Sequence, residues 1–209
     1  MAAGLTWNFT ALRSSEGYGA MMSAGRGRAD LRYFDARRLS TEPLPDVPPC
    51  THDEMWERLQ WTLDQIVPAA EEAGVLLALH PTDPPVSVYR GVAQICINFA
   101  EIKRFVAMRD SPCNTFFMDT GVATEWGEDA AEVIEYFGSR NRIGNVHFRN
   151  VRLVSGPMHY VEEFVNEGDC DMGECMAALV RHGCALRPPL WPSPSFVRKD
   201  RTWQLTCFC

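Results

Sequence analysis

The sequence predicts an α/β fold: a (β/α)8 TIM-type barrel, present in part, followed by an irregular C-terminal tail. Three observations predict it. Strand-like and helix-like segments alternate along the chain. The strand-like segments are mostly unbroken apolar runs, the pattern of strands buried on both faces of a parallel sheet. Three of them end in a histidine or an aspartate, and barrels of this class place ligands at the C-terminal ends of their strands. Doubly wound sheets share that rule. Against them, no glycine-rich phosphate turn follows any strand, and Gly25-Arg26-Gly27 lacks both a third glycine and a preceding strand.

The elements follow in order. Residues 5–10 read as a short strand. Residues 11–50 are poorly patterned, glycine-rich at first and proline-rich at Pro43, Pro45, Pro48 and Pro49; so long a loop in a compact domain is either functional or disordered. Thr51 and Glu54 form a capping-box pair before a helix over 53–73, with Met55, Leu59, Leu63 and Ile66 at helical spacing and Gly74 as its stop. A strand over 75–80 follows. A helix is predicted over 92–109, a strand over 115–119, a helix over 129–137 and a strand over 143–149. The segment up to Gly168 reads as loop and 172–181 as helix, after which Ala185-Leu186 could begin another strand. Residues 1–187 are thus expected to form one partial barrel domain with open sheet edges, which invite aggregation. Residues 188–209 are proline-rich and then basic, with no helix or strand period; they are expected to be an irregular tail, non-native or frameshifted.

The chain has 209 residues, 46% hydrophobic and 22% charged, enough for one sizeable core. A net charge of −7 argues against nucleic acid as a partner. The arginines at 26, 28, 32, 37 and 38 read as a solvated face, or one that meets a small anion. No run reaches the ~20 apolar residues that a membrane helix needs, and no signal peptide is evident at the N-terminus. The expected compartment is the cytoplasm. The eight cysteines form no CxxC pair and are expected to be free thiols. A homo-oligomer is compatible with all of this.

The candidate site lies at three strand ends. His80 closes an apolar run before Pro81-Thr82-Asp83-Pro84-Pro85, Asp119 closes Thr115-Phe116-Phe117-Met118, and His147 closes Ile143-Gly144-Asn145-Val146. Each gap is close to one strand–helix unit, so the three should arrive on successive strands and converge on one divalent metal such as Mn²⁺, Fe²⁺ or Zn²⁺. Taken singly, each has an ordinary alternative, as a satisfied strand-end histidine or a turn aspartate. Asp83 could simply order its proline turn. Arg149 and Asn150 could clamp a substrate carboxylate, since an arginine fork matches that geometry, or form a surface pair.

Four segments carry a resemblance: LALHPTDPP, DTGVATEWGED, IEYFGSRNRIGNVHFRNV and YVEEFVNEGDCDM. They resemble the mannonate dehydratase family, whose pattern runs close to LALHPDDPP, CQGTxxEMGED, HFRNV and EGDVDM. They span about 75–183 in matching order, and Trp7-Asn8-Phe9 is similar to a weaker continuation. The resemblance implies a barrel related to the xylose isomerase-like fold. It also implies metal-assisted loss of water from D-mannonate, giving 2-keto-3-deoxy-D-gluconate in hexuronate catabolism, with Mn²⁺ (or Fe²⁺) as cofactor and a sugar acid as partner. His80 and His147 carry over as ligands; Asp119 stands where the family has cysteine, and its carboxylate, a harder donor than a thiolate, favours Mn²⁺ or Mg²⁺. Asn8, Asp83, Arg149 and Asn150 are the implied substrate contacts. The family's Asp-His pair, which holds the fourth ligand, is replaced by Leu186-Arg187-Pro188-Pro189-Leu190-Trp191, so no catalytic acid–base residue is assigned. Two alternatives follow: an inactive homologue that keeps only metal or ligand binding, and a metal-dependent sugar isomerase or epimerase.

Overall fold

The computed structural model describes residues 3–10 and 15–184, together with the backbone of 205–208. In chain order, β1 (Ala3–Asn8), β2 (Tyr18–Met21) and β3 (Leu31–Asp35) precede α1 (His52–Ala73) and β4 (Val75–His80). The short β5 (Val88–Tyr89) and β6 (Val92–Ala93) lead to α2 (Phe99–Met108), β7 (Asn114–Asp119), α3 (Thr120–Glu125) and α4 (Ala130–Gly138). Then come β8 (Ile143–Phe148), β9 (Asn150–Leu153), β10 (His159–Glu163), α5 (Met172–Arg181) and β11 (Leu205–Phe208).

Two sheets carry the architecture. The first runs β1-β4-β7-β8-β11, with β1, β4, β7 and β8 parallel and β11 antiparallel on the β8 edge. One of its faces is apolar. Leu77, Leu79, Phe116, Met118, Val146 and Phe148 pack there against Leu59 and Leu63 of α1, Phe105 of α2, Phe137 of α4 and Leu179 of α5. The opposite face is concave. Asn145 Nδ2 of β8 donates to Thr6 Oγ1 of β1 at 3.0 Å. In a flat sheet three strand spacings would hold those strands about 14 Å apart. Small side chains permit the curl: a Cβ on Gly144 would lie 2.2 Å from Thr115 Oγ1 and 3.0 Å from the Ala78 Cβ. The result is a curled, mostly parallel sheet backed by helices, a half-barrel among the described residues.

The second sheet, β2-β3-β10-β9, is antiparallel. Phe34 and Tyr160, both fully buried, make its core with Tyr18, whose ring stands 5.0 Å from that of Phe34. This sheet corrects two expectations, since 11–50 and the segment up to Gly168 read as loop. Its pairs join residues far apart in sequence, so no local pattern announces them. The arginine cluster also finds protein partners here: Arg26 with Glu167 at 3.2 Å, Arg37 with Asp35 at 2.7 Å, and Arg32 over the Tyr18 ring at 3.9 Å.

Two further differences have plain causes. The second helix starts at Phe99, not Val92, because the Asn98 side chain caps it by accepting from Glu101 N at 2.9 Å, while Cys96 holds a positive φ of 60°. The tail is not irregular throughout, since β11 pairs with β8. The proposed strand at Ala185-Leu186 lies outside the described residues.

Candidate metal centre

Backbone register sets the site. Asn8 lies beside His80 at the ends of β1 and β4, and Asp119 lies beside His147 at the ends of β7 and β8. The side chains of His80, Asp119 and His147 converge. His80 Nε2 is 3.2 Å from His147 Nδ1, His147 Nδ1 is 3.2 Å from Asp119 Oδ2, and His80 Nε2 is 3.5 Å from the same oxygen. Atoms bound at about 2.1 Å to one ion are about 3.0–3.4 Å apart in octahedral or tetrahedral arrangements. This triangle has that size.

Hydrogen bonds around it fix His80 and Asp119 in place. His80 Nδ1 lies 2.7 Å from the Pro81 carbonyl oxygen. A carbonyl only accepts, so Nδ1 carries the proton and Nε2 presents its lone pair, the arrangement usual for metal-binding histidine. Asp119 is the N-cap of α3: Oδ1 accepts from Val122 N at 2.8 Å, while Oδ2 faces the histidines and also accepts from Arg149 Nε at 2.9 Å. Burial would push the His147 imidazolium toward neutrality, and it outweighs the opposing hydrogen bond to Asp119. Phe117 forms an apolar floor, with its ring 4.8 Å from that of His80 and 4.3 Å from that of His147. Two imidazoles and one carboxylate on one face are a donor set for Mn²⁺, Fe²⁺ or Zn²⁺, and they are the group that could hold a metal ion among the described residues.

Behind the triad lies Arg149, only 4% exposed. Its Nε donates to Asp119 at 2.9 Å, and its Nη2 reaches Asp83 at 3.2 Å and Glu125 at 2.9 Å. It packs on Gly121, where a Cβ would meet the guanidinium carbon at 2.8 Å. Burial would raise the Asp119 carboxyl, but Arg149 and the two histidines hold it well below the usual carboxylate range. Glu125 goes the other way. Burial, then the nearby Asp83, push its carboxyl well above that range despite Arg149. Its contact with Arg149 is close but misaligned for a hydrogen bond, so both oxygens lack a hydrogen-bond partner, as does Arg149 Nη1. Asp83 Oδ1 in turn accepts from Tyr18 at 3.1 Å and Tyr160 at 3.2 Å.

Two of the expected substrate contacts have protein partners here. Arg149 already faces three carboxylates and is turned to the interior, so its fork is not free for a substrate carboxylate. Asn150 is buried and spent on the loop after β10: Nδ2 donates to the carbonyls of Val165 at 2.9 Å and Cys170 at 3.0 Å, and Oδ1 accepts from Cys170 N at 3.0 Å. Asn8 is exposed beside His80, and Asp83 is partly open. Sequence reasoning missed Glu125, Tyr18 and Tyr160. Glu125 had a signal, as the one acid among the buried residues of α3; the tyrosines, on the second sheet, had none. Leu186–Trp191, the position of the family's Asp-His pair, lies outside the described residues.

Comparison with known proteins gives a consistent result. The family model described as D-mannonate dehydratase (UxuA) matches residues 43–206. A mannonate dehydratase from Enterococcus faecalis is 32% identical over 169 residues, covering 75% of this chain and 46% of the relative. One from Streptococcus pneumoniae is 33% identical over 169 residues, covering 76% and 46%. The crystal structure of mannonate dehydratase from Streptococcus suis serotype 2 superposes with a TM-score of 0.70 over 87% of this chain and 54% of that one, at 24% identity, a likeness of fold. The chain spans about half the length of these relatives. With the family model covering most of its length, the chain belongs to the D-mannonate dehydratase family.

Proposed function

We propose that this chain carries out the metal-assisted dehydration of D-mannonate to 2-keto-3-deoxy-D-gluconate and water, with His80, Asp119 and His147 holding Mn²⁺ or Fe²⁺. The observation that carries this reading is the triangle of inward-facing donor atoms at three parallel strand ends. When bound, the ion would supply Lewis-acid stabilisation of the negative charge that develops on substrate oxygens as the C2 proton leaves.

The chain's own residues do the rest. Arg149 is a positioning residue that keeps Asp119 ionised and aimed. Asn8 and Asp83 flank the triad and offer hydrogen bonds to the hydroxyls of a sugar acid. Phe117 shuts water out from below, which strengthens the electrostatic interactions above it. Asn150 anchors the loop behind β10 rather than touching substrate. The parallel strands correspond to half of an eight-stranded barrel. The free state of the six described cysteines fits a reducing, cytoplasmic setting, and among the described residues no helix is long and apolar enough to cross a membrane.

A second reading, binding without turnover, is favoured by Leu186–Trp191 standing in place of the Asp-His pair. One experiment separates the two. The full chain is incubated with D-mannonate and Mn²⁺, and the 2-keto-3-deoxy product is followed. Turnover that needs the metal and is abolished in His147→Ala supports dehydration. A folded protein that binds Mn²⁺ and yields no product selects the second reading.

A further inference from the structure

We propose that Cys170 and Cys175 form a thiol pair that closes reversibly to a disulfide when it meets a peroxide. The placement follows from helix geometry. Asp171 is the N-cap of α5, its side chain accepting from Gly173 N at 2.9 Å and Glu174 N at 3.0 Å. Cys170 therefore occupies the position before the cap and Cys175 the fourth helical position. Those are the two positions whose side chains pack together in a hydrophobic staple. Here both are thiols, and the sulfurs stand 3.4 Å apart.

The two sulfurs are not equivalent. Cys170 is partly exposed, while Cys175 is buried at 1% exposure. Either sulfur can donate to the other; the contact with Cys175, with Thr124 adding to it, lowers the Cys170 thiol from its ordinary value against the effect of burial. The same bond, together with burial, raises Cys175. An accessible nucleophile beside a buried resolving thiol is the arrangement of redox-active pairs. Disulfide closure brings the sulfurs to about 2.05 Å, a shift of about 1.3 Å.

The chemistry balances with hydrogen peroxide as oxidant. The Cys170 thiolate attacks one peroxide oxygen, the O–O bond breaks, and hydroxide leaves to give the sulfenic acid. The Cys175 sulfur then attacks the Cys170 sulfur, the S–O bond breaks, and the oxygen leaves as water with the Cys175 proton. Two thiols lose two electrons and the peroxide becomes two waters. Neither the metal triad nor the proposed dehydration enters, so this inference stands or falls separately from that reading.

The test uses the full chain, treated with graded hydrogen peroxide, alkylated and digested with trypsin. The peptide 153–181 contains both cysteines and no other. The expected result is a peptide lighter by two hydrogens with both alkylation sites lost, and recovery of both sites after dithiothreitol. In Cys175→Ser, a 1,3-diketone should trap the Cys170 sulfenic acid; in Cys170→Ser, Cys175 should stay alkylatable. Wild-type peptide that gains oxygen at Cys170 while Cys175 stays alkylatable would overturn the proposal. So would a pair that ignores peroxide in the folded chain but reacts after denaturation. The wild-type peptide decides even if a variant fails to fold.

Discussion

Two clusters meet at Asp119, and they differ in what completes them. On one side, Asp119, His80 and His147 turn three ligand-type atoms toward a common point. On the other, Asp119, Asp83 and Glu125 surround Arg149 at 2.9–3.2 Å. The second cluster is richer in carboxylates, yet it already contains its cation. The first has one carboxylate, whose facing oxygen accepts from Arg149 Nε, and no cation inside its triangle. Acid count therefore says little about where an ion would bind. The useful signal is a set of ligand-type atoms with no protein cation inside it, two of them fixed from behind, His80 by the Pro81 carbonyl and Asp119 by Val122 N. Arg149 links the two clusters, since it supplies charge to one and orientation to the other.

The largest effect should come from breaking the self-contained cluster. Arg149→Met leaves three carboxylates without their cation and should cost about 3–5 kcal/mol in urea denaturation. A cost below about 1 kcal/mol would mean that the guanidinium contributes little. On the open side, His147→Ala should lower Mn²⁺ affinity by at least about 100-fold in calorimetric titration, with a much smaller shift in the urea midpoint. Equal stability losses in the two variants would erase the distinction drawn above.

Glu125 sharpens it further. Its folded carboxyl sits well above 4.5, its ordinary value. Between those values the folded chain holds a proton that the unfolded chain releases, so this contribution to stability falls as pH rises. It is fully present below about pH 4.5 and is lost as pH climbs through the folded value, at up to about 1.4 kcal/mol per pH unit. Glu125→Gln should remove that slope, leaving the variant relatively more stable as pH rises. Parallel pH profiles for the two proteins would contradict the assignment. The smallest change is Tyr160→Phe, which removes one hydrogen bond to Asp83 and should cost about 1 kcal/mol.

The contrast between the sheets explains what could be read from sequence. The strands β4, β7 and β8 are local apolar runs between helices with regular periods, and their ends carry the triad, so the concave sheet and the candidate ligands at its strand ends could be read together. The capping box at Thr51 and Glu54 was legible for the same local reason, and both of its hydrogen bonds are present. The antiparallel sheet was not, because β3 pairs with β10 across more than half the chain and its short strands carry no hairpin signal linking them. Arg149 and Asn150 were read as the end of the His147 strand, whereas β8 stops at Phe148, Asn150 opens β9, and both side chains meet protein partners. Sequence gives a residue's neighbours along the chain; here the partners were Glu125, Asp83 and the loop ending at Cys170, which only the fold brings near.

The central claim is that His80, Asp119 and His147 share one divalent ion. Pulsed electron paramagnetic resonance of the full chain with one equivalent of Mn²⁺ tests it most directly, because directly bound imidazole nitrogens modulate the manganese echo. Modulation from two nitrogens is expected, reduced to one in His80→Ala and likewise in His147→Ala. Manganese bound with no nitrogen modulation, or with modulation unchanged in both variants, would contradict it.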